Sequence, residues 1–332
     1  RNFIKFFYFY TGCFFNEKYV DMLDLLFKSI LTYGKIDFKI TRILVMTDFT
    51  LKPKVEKLYK KYKLKGDILI LKNITNVFES CCARLQIFRY PALHKYKKII
   101  WLDCDILVIN NLSTLLKYEP KEKLYAAREG NTWHQYWGRW LYDYNKVDNP
   151  KTPGFTTAIL LFNNCNKIKK LFDKINISID SLVNNKSWDH KSFSLSSACW
   201  DQPFIVYNAV ISDMYELKLQ NIVINNPTVF EGFTIAHFAG GEEREWLGQH
   251  LSKYKKMEEY LKICSSNSTP YRSPPKQIAL TIHGWDNMSP EFLNPENSSP
   301  DNNEIILPTQ LIYTGCFFKE RYFNLLKLLL KT

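Results

Sequence analysis

Lys97-Lys98-Ile99-Ile100-Trp101-Leu102-Asp103-Cys104-Asp105-Ile106-Leu107-Val108 is the stretch on which the fold turns. An apolar run opens on two lysines, meets two carboxylates and becomes apolar again. Such a run suits a buried strand. In extended chain, residues two apart point the same way, so Asp103 and Asp105 are expected to face one ion. Carboxylate oxygens suit Mn²⁺ or Mg²⁺, and such ions typically bridge to substrate phosphates. D-x-D alone is a weak motif, and two solvated aspartates at a turn are the ordinary alternative. The strand before it favours the ion, because burying two like charges calls for a compensating cation.

Outward from this stretch, strands and helices alternate. Phe3 to Tyr10, Thr41 to Thr47 and Lys98 to Leu102 read as buried strands, and Asp67 to Leu71 as a further strand. Asn16 to Ser29 and Leu51 to Tyr62 have helical spacing, and Ala83 to Leu93 is read as helical. The alternation argues for a Rossmann-like α/β fold, with a mixed, mostly parallel sheet flanked by helices. Ligands of such sheets bind outside the carboxyl ends of the strands, where Asp103 and Asp105 lie.

Two later segments carry further chemistry. In Thr234-Ile235-Ala236-His237-Phe238-Ala239-Gly240-Gly241, a histidine follows an apolar run and precedes a glycine pair. Imidazole joins carboxylates around Mn²⁺, and glycine lets backbone approach a phosphate. Taken alone, a histidine so placed is more often a core or cap residue. In Cys199-Trp200-Asp201-Gln202-Pro203-Phe204, a polar pair stands in apolar surroundings. It either orients a substrate or caps a helix that has Pro203 at its first position, and both roles are compatible.

The 332 residues are 46% hydrophobic, enough to bury one large core. The net charge of +12 admits nucleic acid, an anionic surface or a phosphorylated ligand. Its lysines are scattered, and Lys54, Lys57, Lys60, Lys61 and Lys63 form the solvated face of a helix. No nucleic-acid-binding motif is visible, and no such partner is expected. The eight cysteines show neither C-x-x-C pairs nor zinc spacing. They read as free thiols of a reducing compartment, so a cytoplasmic location is expected. No apolar run approaches the roughly 18 residues that span a bilayer. The chain opens on Arg1, as a fragment or processed product does, so a missing leader carries no information.

Residues 1–262 are expected to form the folded domain, and 263–304, rich in Pro, Ser and Asn, a C-terminal linker. Tyr313-Thr314-Gly315-Cys316-Phe317-Phe318 then repeats Tyr10-Thr11-Gly12-Cys13-Phe14-Phe15, and Glu320, Tyr322 and Leu326 continue the match to Glu17, Tyr19 and Leu23. Residues 305–332 therefore read as the truncated start of a second, homologous domain.

The order of motifs, with N-E-K-Y, R-L-x-I-F-x-Y-P, Y-K-K-I-I-W-L-D-C-D, F-T-T-A, D-Q and H-F-A-G, resembles glycosyltransferase family 8, which contains glycogenin and the bacterial lipopolysaccharide glucosyl- and galactosyltransferases. The resemblance covers about residues 3 to 260 and lies in the combination of motifs. It implies a GT-A fold, a UDP-sugar donor, Mn²⁺ and retention of anomeric configuration. It implies that Asp103, Asp105 and His237 bind the metal and that Arg84 contacts the donor. Thr11, Asn16, Tyr19, Cys104 and Gly240 are further candidate donor contacts. Asp201 and Gln202 match the pair beside the donor sugar and are the candidate catalytic residues. Two departures stand out. Phe155-Thr156-Thr157-Ala158 replaces the family's F-N-S-G, leaving Thr156 and Thr157 under the sugar. Glu243 stands where H-x-x-G-x-x-K has its lysine, and Arg244, one residue on, is the candidate substitute.

The expected activity is transfer of a hexose to a saccharide, protein or lipid-linked acceptor. The aromatic segment Trp133 to Trp140 suits either an acceptor loop or a packed insertion. The rival readings are a nucleotide-sugar-binding domain without turnover, a nucleotidyltransferase and a basic nucleic-acid-binding protein.

Overall fold

The alternating segments become the layers of one α/β unit. The computed structural model describes residues 6–142, 152–183, 201–227, 232–240 and 250–266. In chain order the elements are β1 (Phe6–Cys13), α1 (Lys18–Tyr33), β2 (Thr41–Thr47), α2 (Lys52–Tyr62), β3 (Gly66–Ile70), α3 (Val77–Cys82), β4 (Tyr96–Leu102), β5 (Ile106–Val108), β6 (Leu124–Asn131), β7 (Pro153–Asn163), α4 (Asn166–Val183), α5 (Gln202–Ile211), β8 (Tyr215–Glu216), β9 (Val223–Asn225), β10 (Ile235–His237) and α6 (Lys253–Ser266). Of the expected linker 263–304, residues 263–266 instead continue α6; the rest of it and the expected repeat at 305–332 lie outside the described residues.

Seven strands form the main sheet in the order β3-β2-β1-β4-β7-β6-β8. β3, β2, β1 and β4 run parallel; β7 is antiparallel to both β4 and β6, and β8 is parallel to β6. Successive strand residues enter opposite cores. Tyr8, Tyr10, Leu44, Met46, Ile99 and Trp101 face one way, where α4 and α5 supply Leu171, Phe172, Phe204 and Val206. Phe9, Ile43, Val45, Ile100 and Leu102 face the other, against Leu23, Leu26 and Phe27 of α1 and Val55 of α2. Burial on both faces is what turns these strands into continuous apolar runs. β5, β10 and β9 form a second, three-stranded sheet in that order, and Leu107 and Ala236 from it pack with Met257 and Tyr260 of α6.

The helix expected over Ala83 to Leu93 does not form as one piece. α3 ends at Cys82, and two 3₁₀ turns follow over Ala83–Arg89 and Pro91–Lys95. Tyr90 between them is extended, with φ −70° and ψ 116°. The ring of Pro91 forces this, since it disfavours helical backbone in the residue before it.

Trp137 lies over two glycines, Gly130 with φ +56° and Gly154 at the start of β7. A Cβ on Gly154 would stand 2.5 Å from the Trp137 ring and 2.8 Å from the Glu129 carbonyl oxygen. Gly154→Ala is therefore expected to destabilise the protein by about 1–3 kcal/mol through overpacking, read as a lower urea midpoint. An unchanged midpoint would show that Trp137 is free to move aside.

Candidate active site

β4 ends at Leu102, and the Asp103 amide donates to the Ala158 carbonyl of β7 at 2.9 Å. The chain then turns through Cys104 and enters β5 at Ile106. The two aspartates thus sit on a turn between two sheets, not on the extended chain expected from their spacing. They converge because the backbone crosses over there. β10 pairs antiparallel with β5 and sets His237 opposite Ile106. The Phe238 amide donates to the Asp105 carbonyl at 3.0 Å and closes the turn. One ligand atom from each of Asp103, Asp105 and His237 lies within 4.8 Å of the others.

These residues fit a divalent ion. The set is two carboxylates and an imidazole, donors that Mn²⁺ accepts. Asp105 Oδ1 is buried without a hydrogen bond and lies 3.6 Å from His237 Nε2. A buried carboxylate oxygen left without a donor is costly, and a cation between these atoms removes the cost. Burial lowers the His237 pKa to about 4, against the pull of Asp105, so the ring is neutral at neutral pH, as ligation requires. Burial also raises the Asp103 carboxyl, opposed by Arg84. Burial pushes Asp105 the same way, but Lys253 and His237 outweigh it and leave its pKa below the usual range.

Arg84 lies beneath the cluster, 4% exposed. Its guanidinium approaches Asp103 Oδ1 at 3.2 Å and Asp201 Oδ2 at 2.8 Å, donates to the Thr157 carbonyl, and covers the Trp101 ring at 4.7 Å. Arg84 Nε donates its proton to the Cys81 carbonyl, so the contact with Asp201 Oδ2 is ionic, and that oxygen has no hydrogen bond. Trp101 Nε1 donates to Asp103 Oδ1 at 2.7 Å. Asp201 precedes α5 without capping it through its side chain. Gln202 Oε1 accepts from the Thr157 amide at 3.0 Å and the Thr157 hydroxyl at 3.3 Å, and its Nε2 donates to the Tyr136 carbonyl at 3.4 Å. The Thr156 hydroxyl accepts from the Ala158 amide.

The structure thus brings Arg84, Asp103, Asp105, Thr157, Asp201, Gln202 and His237 together. Thr11 is on β1, buried with its hydroxyl unpaired. The β1–β4 register, Tyr10 opposite Trp101, sets it at the same sheet edge. Asn16 leads into α1 and accepts from the Lys18 amide, and Tyr19 meets Phe15 edge-on. Cys104 is half-buried at the turn, and Gly240 takes φ +87° three residues after His237. Glu243 and Arg244 lie outside the described residues. Cys13, Cys82, Cys104, Cys165 and Cys264 carry free thiols.

Sequence reasoning missed Lys253. It opens α6 and donates to Asp105 Oδ2 at 2.6 Å, with 18% of its side chain exposed. In sequence it is one of several lysines in a charged run, Lys253-Tyr254-Lys255-Lys256, and only the half-buried pairing distinguishes it.

A mixed sheet of this order, with an Asp-x-Asp turn at the carboxyl end of its fourth strand, defines a glycosyltransferase of the GT-A fold. The chain belongs to glycosyl transferase family 8, whose model matches residues 14–248. Its structure resembles that of the galactosyltransferase LgtC, solved with donor and acceptor sugar analogues, with a TM-score of 0.53 and 14% identity over 81% of this chain and 98% of that one. The apo bifunctional glycosyltransferase WbbM gives a TM-score of 0.52 and 15% identity over 81% of this chain, which spans 51% of WbbM. At such identities the likeness is one of fold. No curated protein matches the chain by sequence. Among the described residues no helix is long and apolar enough to cross a membrane.

Two outcomes follow from the charges. Lys253→Met leaves Asp105 without its cation, and metal-free stability is expected to fall by about 3 kcal/mol. Mn²⁺ should then raise the melting temperature more in the variant than in the parent; equal shifts would show that lysine and ion do not share Asp105. Between pH 6.5 and about 4 the unfolded chain takes up a proton on His237 that the folded chain refuses. Metal-free stability should therefore decline as pH falls through that window, by at most about 1.4 kcal/mol per unit from this group. His237→Gln should flatten that slope in urea titrations.

Proposed function

We propose that the chain is a retaining glycosyltransferase that moves a hexose from a UDP-sugar to a saccharide, protein or lipid-linked acceptor. Asp103, Asp105 and His237 would hold Mn²⁺, or Mg²⁺ in its place. The observation that carries the reading is the buried, unpaired Asp105 Oδ1 facing His237 Nε2. A bound ion would supply Lewis-acid stabilisation of the charge that grows on the departing diphosphate.

The remaining work falls to the protein's own residues. Thr11, Asn16 and Tyr19 would receive the nucleotide, with Cys104 and Gly240 giving close backbone approach and Arg244 a cation for the diphosphate. Arg84 holds Asp103 and Asp201 in register, and as a donor contact it would act from below. The Asp201 carboxylate provides negative field where positive charge develops on the sugar. Gln202 clamps Thr157, and with it Thr156, as the floor under the sugar. Trp133 is 44% exposed, with Arg139 stacked at 4.6 Å, and its segment is tied to Gln202 through the Tyr136 carbonyl. That link supports an acceptor-facing role. Retention follows the family. The repeat that begins at residue 305 would open a second domain of the same kind.

Lys253 favours a second reading. With an ammonium already on Asp105, the site suits a domain that binds a nucleotide-sugar without turning it over. Mn²⁺-dependent UDP release from a panel of UDP-sugars separates the two. The full chain is expected to release UDP from one sugar, and Asp103→Ala or Asp105→Ala to lower that release by at least about 100-fold. UDP binding without release would carry the second reading, and full turnover in either variant would remove the metal site from the mechanism.

A further inference from the structure

A metal-binding histidine must present a lone pair to the ion, and which nitrogen does so depends on what the other one bonds. Here β9 runs parallel to β10 and places Asn225 directly opposite His237. Opposed residues of paired strands share a face. His237 Nδ1 lies 2.8 Å from Asn225 Oδ1. An asparagine amide can face either way, but a second bond sets this one. Asn225 Nδ2 donates to Glu129 Oε1 at 3.0 Å. A carboxylate acceptor there turns the amide nitrogen towards Glu129 and the amide oxygen towards the ring. His237 Nδ1 then has to be the donor, which leaves Nε2 unprotonated towards Asp105 Oδ1, 3.6 Å away.

We infer that Glu129 and Asn225 are positioning residues that lock His237 in its Nδ1–H tautomer and so hold Nε2 ready as a ligand. Glu129 belongs to β6 of the main sheet and Asn225 to β9 of the small one, so the relay also joins the two sheets at the site. Backbone supports it, since the Asn226 amide donates to the His237 carbonyl at 2.7 Å. Without Asn225, the ring gains by taking the opposite tautomer, with Nε2–H donating to Asp105. The relay's use in metal binding rests on the function proposed above, whereas the tautomer itself does not.

The test uses the full chain labelled with ¹⁵N-histidine, free of metal at neutral pH, and reads the ring nitrogens in long-range ¹H–¹⁵N spectra. The parent should show His237 protonated on Nδ1. Asn225→Leu should shift it to Nε2–H and weaken Mn²⁺ binding about 10–100-fold. The double variant Asn225→Asp with Glu129→Gln reverses the outer bond: the amide introduced on β6 donates to the carboxylate introduced on β9, which again accepts from His237 Nδ1. It should restore the Nδ1–H tautomer and bring Mn²⁺ affinity back to within a few-fold of the parent, and it serves if Asn225→Leu fails to fold. Nε2–H in the parent, an unmoved tautomer in Asn225→Leu, or Nε2–H in a folded double variant would each overturn the relay. A parent that shows Nδ1–H and binds no Mn²⁺ would instead uphold the relay and overturn the metal reading.

Discussion

One buried guanidinium holds the site together. Arg84 touches carboxylates from the end of β4 and the start of α5, a carbonyl of β7 and the face of Trp101. These segments are far apart in sequence, and each brings a group that cannot be buried alone. Two carboxylates around one cation are stable only while the cation stays, because its loss leaves like charges in a low-dielectric surround. The planar fork meets several acceptors at once, which an ammonium at that position would not do. The turn that bears Asp103 is thereby stiffened from within, with a quarter of the Asp103 side chain still exposed.

The charges fall into two sides. Asp103, Asp105 and Asp201 are set against Arg84 and Lys253, with His237 neutral. Burial raises the Asp103 carboxyl to about 7 and raises Asp201 as well, so the cluster is one charge short of neutral only once all three carboxylates have ionised. A dication would reverse the sign and make the same pocket attractive to a diphosphate. Arg84 is enclosed and belongs to the scaffold, whereas Lys253 stands at the rim on α6, beyond the residues matched by the family model.

The sheet was legible in the sequence because its inner parallel strands β1, β2 and β4 are largely buried on both faces, and Thr41 to Thr47 matches its strand to the residue. Ala83 to Leu93 was less so, since apolar spacing alone does not separate an α-helix from 3₁₀ turns broken at Pro91. Asp103, Asp105 and His237 do come together, but not for the local reason that their spacing suggests. The aspartates meet across a turn, and His237 reaches them through the β5–β10 pairing. Lys253, Asn225 and Glu129 carry no local signature. A lysine among lysines and an asparagine in a chain full of them differ from their neighbours only by contacts across long sequence separations.

The reversal of strand direction between β4 and β7 has its own consequence for how the molecule can diversify. Because β7 runs against β4, the chain enters β7 at the edge where β4 leaves the sheet, and the Tyr136 carbonyl, between β6 and β7, accepts from Gln202 of the cluster. Within that connection, the Thr132 amide donates to the Thr152 carbonyl at 2.9 Å, and Trp137 rests on two glycines. Residues 132–142 can therefore vary as a segment apart from the parallel strands β1, β2 and β3.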